Sequence, residues 1–160
     1  MDRVAARPVA ISLGSNLGDR QAHLAYARTR LESLLGDLRF SSIRETEPVG
    51  VPDRQSPYLN AVAAGRSAAS PRELLAALLS IERERGRERP YPNAPRTLDL
   101  DLLLVGELVI DEPDLIVPHP RMGDRLFVLE PLLEIDAIRI GWRHPLTGQT
   151  VEEMLAGLRG

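Results

Sequence analysis

An α+β fold of the ferredoxin-like kind, a βαββαβ two-layer sandwich with C-terminal additions, is predicted by three features of this chain. Four segments read as strands, two amphipathic stretches read as helices, and they follow one another as strand, helix, strand, strand, helix, strand. Both helical stretches carry start and stop residues of their own. The length of 160 residues, 43% of them hydrophobic, suits one compact domain over 1–160, with no repeat, low-complexity tract or interdomain linker.

Residues 9–13 form a short apolar strand that ends at Gly14-Ser15-Asn16-Leu17-Gly18. Asp19 then offers an N-cap, Leu24, Ala27, Leu31, Leu34 and Leu35 mark one helix face, and Gly36 is placed as the C-terminal cap. Residues 38–46 alternate as a strand, a loop with Pro, Gly and Asp spans 47–57, and residues 58–65 make the next strand. Ser70-Pro71-Arg72-Glu73 is a capping box with proline at the first helical position. The helix behind it runs to about Arg85, buries Leu74, Leu75, Leu78 and Ile81, and stops at Gly86. After the loop 87–95 come the acidic strand, a short hairpin partner for it at 108–110, the turn Pro118-His119-Pro120, and helices over 126–133 and 151–158.

The acidic strand is the most informative segment. Residues 96–105 read Arg-Thr-Leu-Asp-Leu-Asp-Leu-Leu-Leu-Val. Successive side chains of a strand point to opposite faces, so Leu98, Leu100 and Leu102 enter a core while Thr97, Asp99 and Asp101 share the other face. The two carboxylates then stand about 7 Å apart, and a cation between them relieves their repulsion. Oxygen ligands without Cys or paired His suit Mg²⁺, which is usually held jointly with phosphates. An exposed sheet face with two solvated acids accounts for the same pattern.

Composition narrows the rest. A net charge of −3 argues against a broad nucleic-acid surface, and the aromatic strands of an RNA-binding sheet are missing. All 20 basic residues are Arg, which removes lysine-based phosphate loops and Schiff bases. Cysteine is absent, and no window approaches the roughly 18 apolar residues of a membrane span. The first eight residues lack the apolar centre of a secretory signal, so a cytoplasmic protein is expected, without membrane or nucleic-acid partners.

The remaining constellations each have an ordinary structural explanation beside the functional one. Gly14–Gly18 lies between strand and helix, where phosphates bind, but reads better as a tight turn. Arg87 and Arg89, just past the second helix, and Arg96 before the acid pair either sit in solvent or reach a polyphosphate. Tyr58 and Asn60 share one strand face, as a ring and an amide for the edge of a flat heterocycle, or as a core Tyr and a capping Asn. His119 donates to a phosphate or holds its turn, while His23 and His144 are assigned to the surface. No Ser-His-Asp, HExxH or CxxC arrangement is present. A non-catalytic ferredoxin-like module explains the elements but leaves the acid pair unused.

Taken together, Ser-Leu-Gly-Ser-Asn-Leu at 12–17, Tyr-Leu-Asn-Ala at 58–61, Ile81-Glu82 with Gly86-Arg87, Pro-Arg-Thr-Leu-Asp-Leu-Asp at 95–101, and Val-Pro-His at 117–119 with Arg125 and Phe127 resemble the 6-hydroxymethyl-7,8-dihydropterin pyrophosphokinase family. The resemblance implies transfer of the terminal two phosphates of ATP, as a unit, to the pterin hydroxymethyl group, with AMP released. It implies two Mg²⁺ ions on Asp99 and Asp101, which with Arg87 and Arg96 make the catalytic set. The pterin is expected between Tyr58 and Phe127, its polar edge read by Asn60 and by the backbone around Thr46, Pro48 and Val49. ATP is expected on Glu82, Arg87, Arg89, Arg96, His119 and Arg125, with the arginine loop closing over both substrates. A monomer acting on these two small molecules follows. The chain departs from the family pattern at Asn93, where many members have Trp and Tyr91 lies nearby, at Glu47 in place of Pro, and at Pro120 after His119.

Overall fold

The computed structural model describes residues 5–46, 57–86, 97–135 and 142–159. Strand β1 (Arg7–Ser15) leads into helix α1 (Arg20–Leu34), followed by β2 (Gly36–Phe40), β3 (Arg44–Thr46), β4 (Tyr58–Ser67) and helix α2 (Pro71–Glu84). Strand β5 (Asp99–Val105), a small pair β6 (Ile110–Glu112) and β7 (Leu115–Val117), helix α3 (Leu126–Ile135) and helix α4 (Val151–Arg159) complete the described elements. The antiparallel sheet runs β2-β4-β1-β5, with β3 also on β4. Counting β2 and β3 as one interrupted strand recovers the βαββαβ order, so the α+β ferredoxin-like fold is as expected.

The helix signals act where the residues place them. Asp19 accepts a hydrogen bond from the Ala22 backbone N–H, and Ser70 and Glu73 form both arms of the capping box. Gly86 takes φ +76, which ends α2. Gly36 is different. Helix α1 ends at Leu35 in extended geometry, and Gly36 is already the first residue of β2. The position that requires glycine is its neighbour Gly65, where a Cβ would lie 2.6 Å from the Gly36 carbonyl oxygen and 2.9 Å from Leu35 Cβ.

Two further expectations are corrected. Residues 38–46 are not one strand, because Ser41 rebuilds the ladder: its N–H donates to the Val62 carbonyl while its Oγ accepts from the Val62 N–H. A side chain thus replaces a backbone carbonyl and the chain kinks before β3. The segment 108–110 is not the partner of β5. Leu108 N–H donates to the Val105 carbonyl in a turn, and the hairpin forms instead between β6 and β7.

The sheet is covered on both faces, unequally. Val9, Ile11, Leu13, Leu59, Ala63, Leu98, Leu100 and Leu102 pack under α1 and α2 with Leu24, Leu31, Leu74, Leu78 and Ile81. On the other face Ala10, Val62, Ala64, Leu103 and Leu104 pack under α3 and α4 with Met122, Val128, Leu129, Leu132, Met154 and Leu155. Here the C-terminal additions supply a third layer. In β5 the alternation is broken: Leu104 pairs with Ala10 and Leu102 with Ile11, so Leu103 is an extra residue and both Leu103 and Leu104 turn to the second face. Among the described residues no helix is long and apolar enough to cross a membrane.

Candidate functional site

The second face is apolar only along part of the strands. Beyond Ala10, Val62 and Leu103 the same strands present Ser12 and Gly14 from β1, Asn60 and Tyr58 from β4, and Asp101 and Asp99 from β5. Register makes this a continuous surface. Ser12 lies opposite Val62 on one side and Asp101 on the other, and Gly14 lies between Asn60 and Asp99. Directly opposed residues of an antiparallel pair share a face, so the acid pair and the Tyr-Asn pair flank a floor made by β1.

Gly14 keeps that floor open. A Cβ there would meet Asn60 Oδ1 at 3.3 Å and the Tyr58 ring at 3.4 Å, so both side chains lean across the missing group. Thr46 is opposite Tyr58 in β3, and its Oγ1 accepts from Asn60 Nδ2. That bond fixes which end of the amide faces each way, with Oδ1 toward Gly14. The sequence pattern had placed Gly14 in a turn. Its position inside β1 is what reveals its role, since a glycine within a strand often marks close approach.

The acid strand is held from beneath. Glu82 is 2% exposed, and its Oε2 accepts a 2.7 Å hydrogen bond from the Leu100 backbone N–H, between the two aspartates. Glu82 therefore enters the site through β5, which it positions.

His119 reaches the site through the bulge. Its N–H donates to the carbonyl of Leu103, the unpaired residue of β5, at 2.7 Å. Its Nδ1 accepts from the Arg121 N–H at 3.1 Å, which leaves Nε2 as the protonated, donating nitrogen of the neutral ring. Burial foremost, then the charges of Arg125 and Arg121, hold its pKa below the ordinary 6.5, against an opposing pull from Asp99. Arg121 escaped the sequence reading because only the fold brings it beside His119. Arg125 stacks over Phe127, with its guanidinium carbon 5.5 Å from the ring centroid, at the start of α3.

The fold thus gathers Asp99, Asp101, Tyr58, Asn60 and Thr46 on one surface, with His119 feeling the charges of both Asp99 and Arg125. Phe127 is half-buried against the second core at the first turn of α3. Pro48, Val49, Arg87, Arg89 and Arg96, with Glu47, Tyr91 and Asn93, lie outside the described residues. Two histidines assigned to the open surface have partners. His23 Nδ1 accepts from Arg85 Nε at 2.9 Å, and that guanidinium lies over the Tyr26 ring. His144 Nδ1 accepts from the Leu146 N–H and its ring meets Trp142 edge-on.

The donor set fits Mg²⁺. Asp99 and Asp101 present carboxylates from alternate positions of a strand, and no third His, Asp or Glu joins them among the described residues. Mg²⁺ typically takes one or two carboxylates and completes its shell with phosphate oxygens and water.

The fold is that of solved HPPK-DHPS proteins. A Plasmodium falciparum HPPK-DHPS crystallised with pteroate aligns at TM-score 0.73 and 14% identity over 98% of this chain and 44% of that one. A second, with pterin and p-hydroxybenzoate, aligns at 0.70 and 13%, over 98% and 42%. The model of the 7,8-dihydro-6-hydroxymethylpterin-pyrophosphokinase (HPPK) family matches residues 10–137, and the chain belongs to this family. It is 46% identical to the 2-amino-4-hydroxy-6-hydroxymethyldihydropteridine pyrophosphokinase of Bacillus subtilis over 78% of this chain and 75% of the relative. For the enzyme of that name from Aquifex aeolicus the identity is 35%, over 91% and 88%. It is also 39% identical to the folic acid synthesis protein of Pneumocystis carinii, of which it spans 19%.

Proposed function

We propose that this chain transfers a pyrophosphoryl group from ATP to the hydroxymethyl oxygen of 6-hydroxymethyl-7,8-dihydropterin, in folate synthesis, and releases AMP. The hydroxyl oxygen bonds to the β-phosphorus while the bond from that phosphorus to the α–β bridging oxygen breaks. AMP leaves with the bridging oxygen, and the hydroxyl proton is released. The observation that carries this reading is the row Asn60–Gly14–Asp99, which sets an amide and a carboxylate on one face of the two strands that flank β1.

In this reading Asp99 and Asp101 would hold two Mg²⁺ ions, which would supply charge neutralisation and Lewis-acid stabilisation for the transfer. Tyr58 and Phe127 stack on the two sides of the pterin, and Asn60, with Thr46 and the backbone of Pro48 and Val49, reads its polar edge. His119 donates through Nε2 to a phosphate oxygen. Arg125 binds the same tail, and Arg87, Arg89 and Arg96 complete its charge neutralisation. Glu82 belongs to the ATP-binding set of this reading, and its bond to the Leu100 N–H also holds β5 between the two aspartates. The enzyme acts as a cytoplasmic monomer, without nucleic-acid or membrane partners.

Incubation with ATP, Mg²⁺ and the reduced pterin tests the assignment. AMP and pterin pyrophosphate are expected in equal amounts, and chelation of the metal should abolish both. Formation of ADP instead overturns it, because a single phosphoryl group would then have moved.

A further inference from the structure

The edge of the sheet nearest the pterin surface is tied to α3 by a network that the proposed chemistry does not use. Arg44 is opposite Asn60 in β3, so it shares the site face. Its side chain runs the other way along that face, to helix α3. Nη1 lies 3.2 Å from Glu130 Oε1 and Nη2 lies 3.3 Å from Glu134 Oε1. Glu134 also accepts from the Ser42 N–H at 2.6 Å and from Ser42 Oγ at 2.7 Å. These bonds and the Arg44 pair hold the Glu134 carboxyl below the ordinary carboxylate range. Glu130 takes a second cation, Arg159 of α4.

Positions 127, 130 and 134 are three and four residues apart, so Phe127, Glu130 and Glu134 follow one stripe of α3. On the opposite side Arg44 and Thr46 are alternate residues of β3, and Thr46 holds Asn60. One short strand therefore carries both the residue that orients the amide and the residue that grips the helix bearing Phe127. Strand β3 has three residues and, among the described residues, pairs with β4 alone, so few backbone bonds fix its distance from α3.

We propose that Arg44, gripped by Glu130 and Glu134, is a positioning residue that sets the spacing between the β3–β4 wall and the Phe127 stripe, and with it the fit of the pterin ring. This rests on the reading that the ring lies between Tyr58 and Phe127. The mechanism is geometric: a misplaced wall weakens stacking on one substrate and leaves the triphosphate contacts of β5 untouched. Arg44 and Glu134 side chains are 35% and 36% exposed, so breaking the pair costs little stability.

Steady-state kinetics on the full chain separate this from a general structural role. Arg44→Met should raise the pterin KM about fivefold while the ATP KM stays within about twofold. Arg44→Lys, which keeps the charge, should recover about half of that loss. Glu134→Gln should change the pterin KM in the same selective way, and it carries the test alone if Arg44→Met does not fold. Equal changes in both KM values, no change in either, or a Lys variant no better than Met each overturn the inference. A wild-type chain that forms no AMP overturns the pterin reading together with it. An active wild type with an unselective Arg44→Met overturns the positioning role alone.

Discussion

The two faces of the central sheet are built from the same strands, yet they are finished differently. Under α1 and α2 the inward residues are apolar along the whole length, from Val9 to Leu13 on β1 and from Leu98 to Val105 around β5. On the reverse face the apolar run stops part-way. Ala10 gives way to Ser12 and Gly14, Val62 to Asn60 and Tyr58, and Leu103 to Asp101 and Asp99. The first face buries its surface completely and contributes stability. The second carries α3 and α4 over its apolar half, and beyond them it presents Ser12, Asn60, Tyr58, Asp101 and Asp99.

The largest expected effect tests the closed face. Leu78 is 1% exposed in the first core, and Leu78→Ala should lower stability by about 3–4 kcal/mol, measured by denaturant unfolding. Turnover per folded molecule should be unchanged. A loss below about 1 kcal/mol would mean that this core is not well packed.

Next is the polar half of the open face. Asp101→Ala should lower turnover by a factor of about 10² or more with the melting temperature nearly unchanged. Destabilisation comparable to Leu78→Ala, with normal turnover, would make the acid pair part of the core and break the contrast. A smaller effect is expected at the floor. Gly14→Ala introduces a Cβ against Asn60 Oδ1 and Tyr58, and should weaken pterin binding about tenfold in calorimetry while ATP binding is preserved. Unchanged pterin affinity would remove Gly14 from the site.

The smallest effect is a pH dependence. His23, His119 and His144 are all held below the ordinary 6.5, in each case chiefly by burial. Below that pH the unfolded chain takes up protons that the folded chain resists. Stability is therefore fully present above about 6.5 and falls as the pH drops toward the lowered folded values. A melting-temperature series from pH 8 to pH 5 should show this decline, and His119→Gln should flatten part of it. A constant melting temperature across the range would exclude the effect.

Much of the frame was legible from local patterns. The caps at Asp19 and Ser70, the stop at Gly86 and the alternation of Leu98, Leu100 and Leu102 depend on near neighbours, and each appears as the residues indicate. The failures share a cause. Ser41 interrupts residues 38–46 through a bond to Val62, 21 positions away, and the close approach that requires a glycine falls at Gly65, across the sheet from Gly36. The true partner of β6 was hidden because β6 and β7 are three residues each, too short to show a period.

The candidate site divides along the same line. Asp99 and Asp101 were readable as a pair because extended backbone has a two-residue period wherever it occurs. The same period put Tyr58 and Asn60 on one face. That these two pairs face each other across Gly14 was decided by register, through hydrogen bonds between residues more than 40 positions apart. The tertiary structure alone also placed His119 on the Leu103 carbonyl, Glu82 beneath Leu100 and Arg44 against α3. Local periodicity sets which way a side chain points; only the packed sheet sets what it points at, because that depends on contacts between segments distant in sequence.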